Sequence, residues 1–178
     1  SVSPERRPRY GPVILWVLLG LLILWLCMCT YRSLGTLIHG RAFLQDLEAL
    51  WESRSDEAGP ARDEVRATHL QAGYLAQDLV ELQRWASPPL CLLGQLLGKS
   101  AAGRYAQLGC DGLEAGSGLM LSVTGALGAM DHVAAQGTVD QPGQVQAALH
   151  YFASDRDRLV KLLPAAGRLD ANVAALPR

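Results

Sequence analysis

The most prominent pattern in the chain is an uninterrupted apolar run near its N-terminus. From Pro12 to Tyr31 the sequence is PVILWVLLGLLILWLCMCTY, without a single acidic or basic side chain. A helix rises about 1.5 Å per residue, so these residues would extend roughly 30 Å, the thickness of the hydrocarbon core of a bilayer. Tyr10 and Tyr31 lie at the two ends of the run, where aromatic side chains suit the membrane interfaces. The pattern predicts a transmembrane helix over residues 12–31.

Three other interpretations of this run fit the surrounding residues less well. A cleaved signal peptide needs a shorter apolar region, with small residues before the cleavage site. A lipoprotein signal also needs small residues before its cysteine, whereas the bulky Leu26 precedes Cys27. A core helix of a soluble protein would need a much larger protein around it to cover its whole surface.

Apolar residues recur at three- and four-residue steps after the membrane run, which predicts a juxtamembrane helix over residues 32–52. Residues 53–60, SRSDEAGP, are polar and close with Gly-Pro, as is typical of a linker. The strongest amphipathic pattern covers residues 61–85. We expect this helix to stop at Ser87-Pro88-Pro89, because proline lacks the amide hydrogen that a helix needs.

The second half of the chain continues with helical patterns. Leu90–Leu97 predicts a short apolar turn or helix that lies over the bundle or on the membrane surface. Residues 101–135 are rich in glycine, so a helix forms there only if close packing compensates. The uncharged stretch 115–130 is short for a second membrane span, which favours a tightly packed bundle helix.

The C-terminal third follows a turn at residues 137–143. An amphipathic helix is expected over 145–163, broken or kinked at Pro164, before a last short helix that ends near Leu176. No alternation of β-branched residues predicts a strand. The expected fold is therefore all-α, with one N-terminal transmembrane helix and a bundle of three to four helices over residues 61–178.

The composition agrees with an all-α protein and argues against a nucleic-acid-binding protein. Hydrophobic residues make up 49% of the chain but aromatic residues only 6%, so the apolar content is mostly Ala, Leu and Val, which suit helices. A mean hydropathy of +0.12 is high for a soluble protein, and the apolar run accounts for most of it. The formal net charge of −1 comes from scattered charges, which argues against a nucleic-acid partner because such binding needs clustered Lys and Arg.

The charges that flank the run predict its orientation. The N-terminal tail, residues 1–11, carries three arginines, which are Arg6, Arg7 and Arg9. Acidic residues predominate beyond Arg41 on the other side. The positive-inside rule then places the N-terminus in the cytoplasm and the helical bundle on the extracytoplasmic side of the cell membrane. Because the chain starts at Ser1 without a Met, either the initiator Met was removed or this is a fragment.

No stretch of the sequence has the residue spacing that a catalytic or cofactor-binding motif requires. GQLLGKS at 94–100 resembles a phosphate-binding loop, but three residues rather than four separate its glycines, which favours an ordinary loop at a helix end. Asp155 and Asp157 suit solvated helix faces, with Ser154 as a cap. No histidine has a partner histidine or other ligand one helical turn away; the four are His39, His69, His132 and His150. The sequence therefore predicts no catalytic residue, no metal site and no cofactor, and the protein is expected not to be an enzyme.

The four cysteines form two groups with different expectations. Cys27 and Cys29 lie near the outer end of the span, and they point about 200° apart on a helix, which is unsuitable for chelating a metal. Cys91 and Cys110 both fall outside the membrane in this topology, where an oxidising compartment permits a disulfide. That bond would close a loop of about 20 residues, worth roughly 3 kcal/mol in the chain-entropy description. The alternative is two small buried side chains.

A family resemblance covers most of the chain. The stretch from Pro89 through LCLLGQLLG, the Gly/Ala/Leu-rich helix after it, and the closing run LLPAAGRLDANVAALPR resemble the N-terminal region of bacterial membrane proteins known as the domain of unknown function 4012. The resemblance implies a following extracytoplasmic domain similar to cell-envelope glycopolymer ligases. This sequence ends at Arg178, before any such domain, and no functional residue can be carried over.

Two functional hypotheses follow. The first is a non-catalytic, single-span accessory or docking subunit of a larger membrane complex, with an electron-transfer, photosynthetic or envelope assembly as the candidate partner. Its span would contact the lipid bilayer and pack against other membrane subunits through Gly20, Cys27 and Cys29. The alternative is the membrane anchor and spacer of a longer bacterial envelope protein whose glycopolymer-handling domain is absent from this chain.

Overall fold

The chain folds into helices throughout the part that the structure describes. A computed structural model describes residues 11–53, 62–136 and 141–174. In chain order the helices are α1 (Gly11–Ser53), α2 (Arg62–Leu97), α3 (Ala101–Ala135), α4 (Gln141–Ser154) and α5 (Arg156–Ala174). No strand occurs in these three ranges, which confirms the all-α prediction. The arginines of the N-terminal tail and nearly all of the expected linker lie outside the described residues.

Helix α1 joins the predicted membrane segment and the predicted juxtamembrane helix in one continuous rod. It contains 43 residues, which corresponds to about 65 Å at the usual helical rise. Its most apolar 18-residue window has a mean hydropathy of 2.7, and none of that window is buried inside the protein. A core helix of a soluble protein would be covered by its neighbours. Among the residues that the structure describes, one helix, near the N-terminus, is long and apolar enough to span a membrane.

Helix α2 runs antiparallel to α1 and covers one side of it. The indole of Trp25 contacts the backbone of Trp85, and His39, further along α1, contacts Asp78, which comes earlier in α2. Near the end of this hairpin, Phe43 packs against α2 and α3. The buried core residues there are Phe43, Ala72, Leu75 and Leu127, with Leu79, Met120, Val123 and Met130 packed around them.

The prediction that α2 stops at Ser87-Pro88-Pro89 is wrong, because the helix continues through both prolines to Leu97. Pro89 cannot donate the helical hydrogen bond that the Trp85 carbonyl would otherwise accept. That carbonyl instead accepts a hydrogen bond of 2.9 Å from Nε1 of Trp25 on α1. A neighbouring helix thus satisfies a backbone group that proline leaves unpaired, which removes part of the penalty for continuing the helix.

A tight turn connects α2 to α3. Gly98 has a φ of +51°, a left-handed conformation that glycine adopts without strain. Ser100 then caps α3, and its hydroxyl oxygen accepts a hydrogen bond of 3.0 Å from the amide of Gly103. The GQLLGKS stretch is therefore the end of one helix and the start of the next, as its glycine spacing indicates.

Helix α3 is the central element, and its small residues let large side chains approach its backbone. Leu162 of α5 lies directly over Gly118, and Tyr151 of α4 lies over Gly125, so closely that a Cβ atom at either glycine would collide with it. Leu90 of α2 meets Gly109 from another side. Close packing by three neighbours therefore compensates for the low helix propensity of glycine, and the predicted bounds 101–135 are confirmed.

The division of the C-terminal region differs from the prediction. The helix expected over 145–163 is interrupted at Asp155 rather than at Pro164, and α5 continues past Pro164 to Ala174. The Asp155 carboxylate is only 14% exposed, and it accepts a hydrogen bond of 2.6 Å from the hydroxyl of Ser122. Its expected role on a solvated face is therefore wrong, because this bond holds the α4–α5 junction against α3.

The expected cap at Ser154 is also wrong. Its hydroxyl donates to the carbonyl of Tyr151 within α4 and therefore does not cap the start of α5. The backbone carbonyl of Asp155 instead accepts hydrogen bonds from the amides of Arg158 and Leu159. Asp155 is therefore the residue that precedes and caps the first turn of α5.

We expect two glycines of α3 to respond to alanine in opposite directions. A Cβ atom at Gly103 would collide with the backbone carbonyl of Gly98, whereas a Cβ atom at Gly116 would meet no atom within 4 Å. Gly103→Ala should therefore lower the free energy of unfolding by about 1–3 kcal/mol through overpacking. Gly116→Ala should raise it by roughly 0.5–1 kcal/mol through helix propensity. Denaturant unfolding in detergent, followed by circular dichroism, measures both; equal effects would contradict this packing.

Candidate functional site

Contacts between helices, rather than a catalytic cluster, carry the notable chemistry of the described residues. In residues 11–53, 62–136 and 141–174, no group of three or more His, Cys, Asp or Glu side chains could hold a metal ion. One surface cleft of about 640 Å³ is lined by α4, including His150. Another of about 360 Å³ lies at the α2–α3 turn and includes Lys99 and Asn172. Neither lining pairs a nucleophile with a general base.

The first polar centre is Asp78, a carboxylate buried between α1 and α2. The residue is 8% exposed. Nη1 of Arg32 lies 3.3 Å from one of its oxygens, and Nδ1 of His39 lies 2.7 Å from the other. Burying a charge is costly unless it is paired and hydrogen-bonded, so these α1 donors are what allow Asp78 to remain in the interface. The cluster fixes the register of α1 on α2.

Glycine on α1 makes room for this cluster. A Cβ atom at Gly35 would lie 2.9 Å from Oδ2 of Asp78, so a larger residue there would push the carboxylate away. The ring of Tyr74 lies against the ring of His39, with centroids 5.5 Å apart. Glu81 adds a longer contact of 3.8 Å to Arg32. Arg32, Gly35 and His39 are three or four residues apart, so they form one stripe along α1.

The contact between Trp25 and Trp85 lies further towards the N-terminus of α1, inside the apolar run. The indole N–H of Trp25 would otherwise lack a partner in an apolar environment, where an unpaired donor is costly. It donates to the carbonyl freed by Pro89, so one bond satisfies two groups that lack helical partners. This bond ties the bundle to the apolar part of α1.

A disulfide joins α2 to α3. Cys91 and Cys110 are bonded, with their Cα atoms 5.3 Å apart and a separation of 19 positions in sequence. The hydroxyl of Ser87 lies 3.4 Å from the sulfur of Cys91 and 3.7 Å from that of Cys110. The pair lies just after the two prolines, so the bond holds the last turns of α2 against α3.

The second polar centre is Asp111, which is 1% exposed and lies between α3 and α5. Nε of Arg168 donates to one carboxylate oxygen at 2.9 Å, and Nδ2 of Asn172 donates to the other at 3.1 Å. Gln107 adds a third donor from α3 itself at 3.4 Å. Arg168 also contacts Glu114 at 3.0 Å. The last turns of α5 are therefore attached to α3 by charge-assisted hydrogen bonds.

The environment of Arg168 favours its charged form. Its hydrogen bond to Asp111 is the largest cause that raises the pKa of the guanidinium above its ordinary value, and the negative charges of Asp111 and Glu114 raise it further. The Arg168 side chain is nonetheless 48% exposed. It is therefore a cation at the edge of the interface that reaches in to a buried anion, and water screens part of the attraction.

The residues predicted to pack within the membrane lie on open surface or at its margin. A Cβ atom at Gly20 would meet nothing within 4 Å. Cys27 is an exposed free cysteine, and Cys29 is a half-buried one. The structure therefore does not bring Gly20, Cys27 and Cys29 together in one contact. The two cysteines differ in burial because they point in different directions around the helix.

Sequence reasoning missed Asp78 and Asp111 as organising residues. Each was one acidic residue among others in an amphipathic or glycine-rich helix, and its donors lie far away in sequence: 39 positions for His39 with Asp78, and 57 for Arg168 with Asp111. Of the two, only Asp111 could have been recognised from the sequence as a buried residue, because it lies among the small residues of α3 that face other helices. His39, which has no helical partner in the sequence, finds one across the interface.

We expect Arg168→Gln to loosen α5, because the buried Asp111 would lose its charged donor. Amide hydrogen exchange, followed by mass spectrometry, should show faster exchange across Arg156–Ala174 with little change in α2. The matched control is Lys161→Gln, which removes an exposed cation from the same helix. Unchanged exchange in α5 of Arg168→Gln would show that this contact does not hold the helix.

We expect the double variant Cys91→Ser/Cys110→Ser to lose roughly 3 kcal/mol of the free energy of unfolding, because the unfolded chain is no longer constrained. Denaturant titration of the oxidised protein in detergent measures the loss. Cys27→Ser/Cys29→Ser is the matched control, since those cysteines are free and should change stability little. Equal stability of the two double variants would contradict a stabilising disulfide.

The chain was also compared with known proteins. No protein-family model, no curated protein and no solved structure matches it. The resemblance to the domain of unknown function 4012 therefore stays a prediction, and the functional argument rests on the residues and contacts described above.

Proposed function

We propose that this protein is a non-catalytic, single-span membrane subunit whose α1 anchors a helical bundle and docks it onto other membrane proteins. The observation that carries the proposal is the face of α1 turned away from α2. Leu37 is 70% exposed and Leu44 is 64% exposed. Both follow Arg32, the first charged residue after the apolar run. We call Leu34, Leu37, Ile38 and Leu44 the outer face of α1.

An apolar face of this kind is typical of a protein–protein contact. Leu34, Leu37 and Ile38 lie next to one another on this face, and the exposed Arg41 separates them from Leu44. Monomeric soluble proteins rarely leave neighbouring large apolar side chains uncovered. Gly20 and Cys27 are seven residues apart, and Leu34 follows seven residues later, so all three lie on one side of the helix. Small side chains at the first two positions would let a partner helix approach closely within the membrane. The docking surface would thus begin in the bilayer and continue onto the outer face.

Two independent observations support an extracytoplasmic bundle. The bond between Cys91 and Cys110 requires an oxidising compartment in most cells, because cytosolic thiols are kept reduced. The arginines of the N-terminal tail favour a cytoplasmic N-terminus by the positive-inside rule. Both observations support the same proposal, a bundle on the extracytoplasmic side of the membrane.

The polar contacts suit a structural role rather than a reaction. Asp78 and Asp111 are each surrounded by donors from a neighbouring helix, so their oxygens are already engaged in holding helices together. A catalytic carboxylate would instead have to reach a substrate within hydrogen-bond distance. A bundle fixed in this way presents a rigid surface for docking.

The docking proposal is tested by placing a charge on the outer face. Leu44→Glu should abolish co-migration with a larger membrane assembly on native gels after gentle solubilisation, because a carboxylate would be desolvated in the contact. Gln77→Glu introduces the same charge at an exposed position of α2, away from the outer face, and should leave the assembly intact. Circular dichroism checks that both variants remain folded.

Two results would contradict the proposal. One is a wild-type protein that migrates alone, at the size of a 19.2 kDa chain with its detergent. The other is an assembly that survives Leu44→Glu as well as it survives Gln77→Glu.

A further inference from the structure

One stripe of α1 continues without a break in phase from the apolar run into the outer face. Its residues follow one another at alternating steps of three and four, which is the repeat of two parallel helices in a coiled coil. Arg41 occupies the one charged position of this repeat before Leu44. The other positions are all exposed, and we call them the heptad stripe: Gly20, Ile23, Cys27, Thr30, Leu34, Leu37 and Leu44.

The heptad stripe lies on the side of α1 that is turned away from α2. Trp25, Arg32 and His39, which are seven residues apart, all bond to α2. Cys27 and Leu34 each come two residues after one of them, which is a rotation of about 200° around the helix. The packing of the chain's own helices therefore leaves the heptad stripe uncovered along its whole length.

A second copy of α1 matches this stripe in height. Copies that insert into a membrane in the same direction place every residue at the same depth as its counterpart. The uncharged residues 12–31 then lie side by side, and so do the leucines that follow Arg32. Two parallel copies related by a two-fold axis present the same patch to each other, which makes the contact self-complementary. Any other partner would need an uncharged span that continues into an apolar stripe at this same height.

The residue types along the stripe suit two helices in close contact. A Cβ atom at Gly20 would meet nothing within 4 Å, so this position offers open space to a neighbour. Small side chains at Gly20, Cys27 and Thr30 let two backbones approach within the apolar run, where close packing is the main attraction between helices. Arg41 costs stability at its position, but a single polar residue in such a repeat also restricts the helices to one register.

We infer that the heptad stripe binds a second copy of this chain, so that the protein is a parallel dimer through α1. The inference rests on the proposed function, because it names the partner that docks on α1. Each bundle then lies on the outer side of the dimer, attached through α2 to the far side of its own α1. The Cys27 thiols of the two copies come close to each other, whereas the Cys29 thiols point away from the contact.

The two free cysteines allow a test with the full chain in its membrane. Two forms with different epitope tags are expressed together, and the membranes are treated with copper–phenanthroline in air, which oxidises neighbouring thiols to a disulfide and passes their electrons to oxygen. Cys29→Ser retains only the thiol on the heptad stripe, and Cys27→Ser retains only the one off it. Cys91 and Cys110 are already bonded to each other and do not react.

A second pair of variants removes burial as an alternative cause, because Cys29 is half-buried. In a Cys27→Ser/Cys29→Ser background, Ile23→Cys places a thiol on the heptad stripe, and Leu21→Cys places one on the opposite side at nearly the same depth. Ile23 is 53% exposed and Leu21 is 57% exposed, so the two positions are equally open to a collision.

The expected result is a band at twice the 19.2 kDa of the chain that carries both tags. Cys29→Ser and Ile23→Cys should form this band, and Cys27→Ser and Leu21→Cys should lose it. A Leu21→Cys band as strong as that of Ile23→Cys would indicate random collisions and overturn the inference. The absence of the band from either variant with a thiol on the stripe would overturn it as well.

The native-gel measurement of Leu44→Glu distinguishes failure of this inference from failure of the proposed function. If no thiol on the stripe forms the dimer band while the larger assembly still depends on Leu44, a different membrane protein occupies the stripe. The inference is then overturned and the proposed function stands. A chain that forms no dimer band and also migrates alone on the native gel overturns both.

Discussion

The arrangement of this protein depends on the need to satisfy a buried carboxylate at the α1–α2 interface. Asp78 can be buried only where α1 supplies donors, and Arg32 and His39 do so on either side of Gly35. A shift of one residue would rotate these donors away by about 100°, so the interface tolerates one register. That register places Trp25 opposite the carbonyl that Pro89 leaves free. The attachment of the apolar rod to the rest of the chain follows from this alignment.

The same principle recurs within the bundle, where α3 is held from several sides by different means. Asp111 draws in the last turns of α5, and Ser122 fixes the α4–α5 junction through Asp155. Between these polar points, glycines let Leu162 and Tyr151 reach the α3 backbone. Small residues allow the helices to pack closely. The buried polar pairs determine how the helices align, because the hydrogen bonds of each pair form in only one arrangement. The disulfide adds a covalent link where the two prolines weaken α2.

These contacts have a consequence for the proposed role. Because α1 is continuous from Gly11 to Ser53, no hinge separates its apolar segment from the part that carries the bundle. The bundle therefore presents its surfaces at a fixed height and angle relative to the anchor. The outer face belongs to the same continuous helix as the apolar segment, so a partner that docks there would meet both at once.

Local properties of the sequence determined the broad outline of this protein. The length of the apolar run, its lack of charge, the helical spacing of leucines and the turn residues on either side of 101–135 are all local features. The all-α class, the long N-terminal helix and the bounds of α3 therefore followed from them. The pairing of Cys91 with Cys110 was one of two open alternatives, since spacing does not establish that two thiols meet.

Only the tertiary structure decided the rest. Local rules end a helix at Pro88-Pro89, but an acceptor freed by proline can be satisfied from another helix, and Trp25 lies 60 positions away from Trp85. Asp78, Asp111 and Asp155 resemble ordinary surface carboxylates until the register of two helices brings donors to them. Contacts between distant residues depend on how helices align, and neither periodicity nor residue type specifies that alignment.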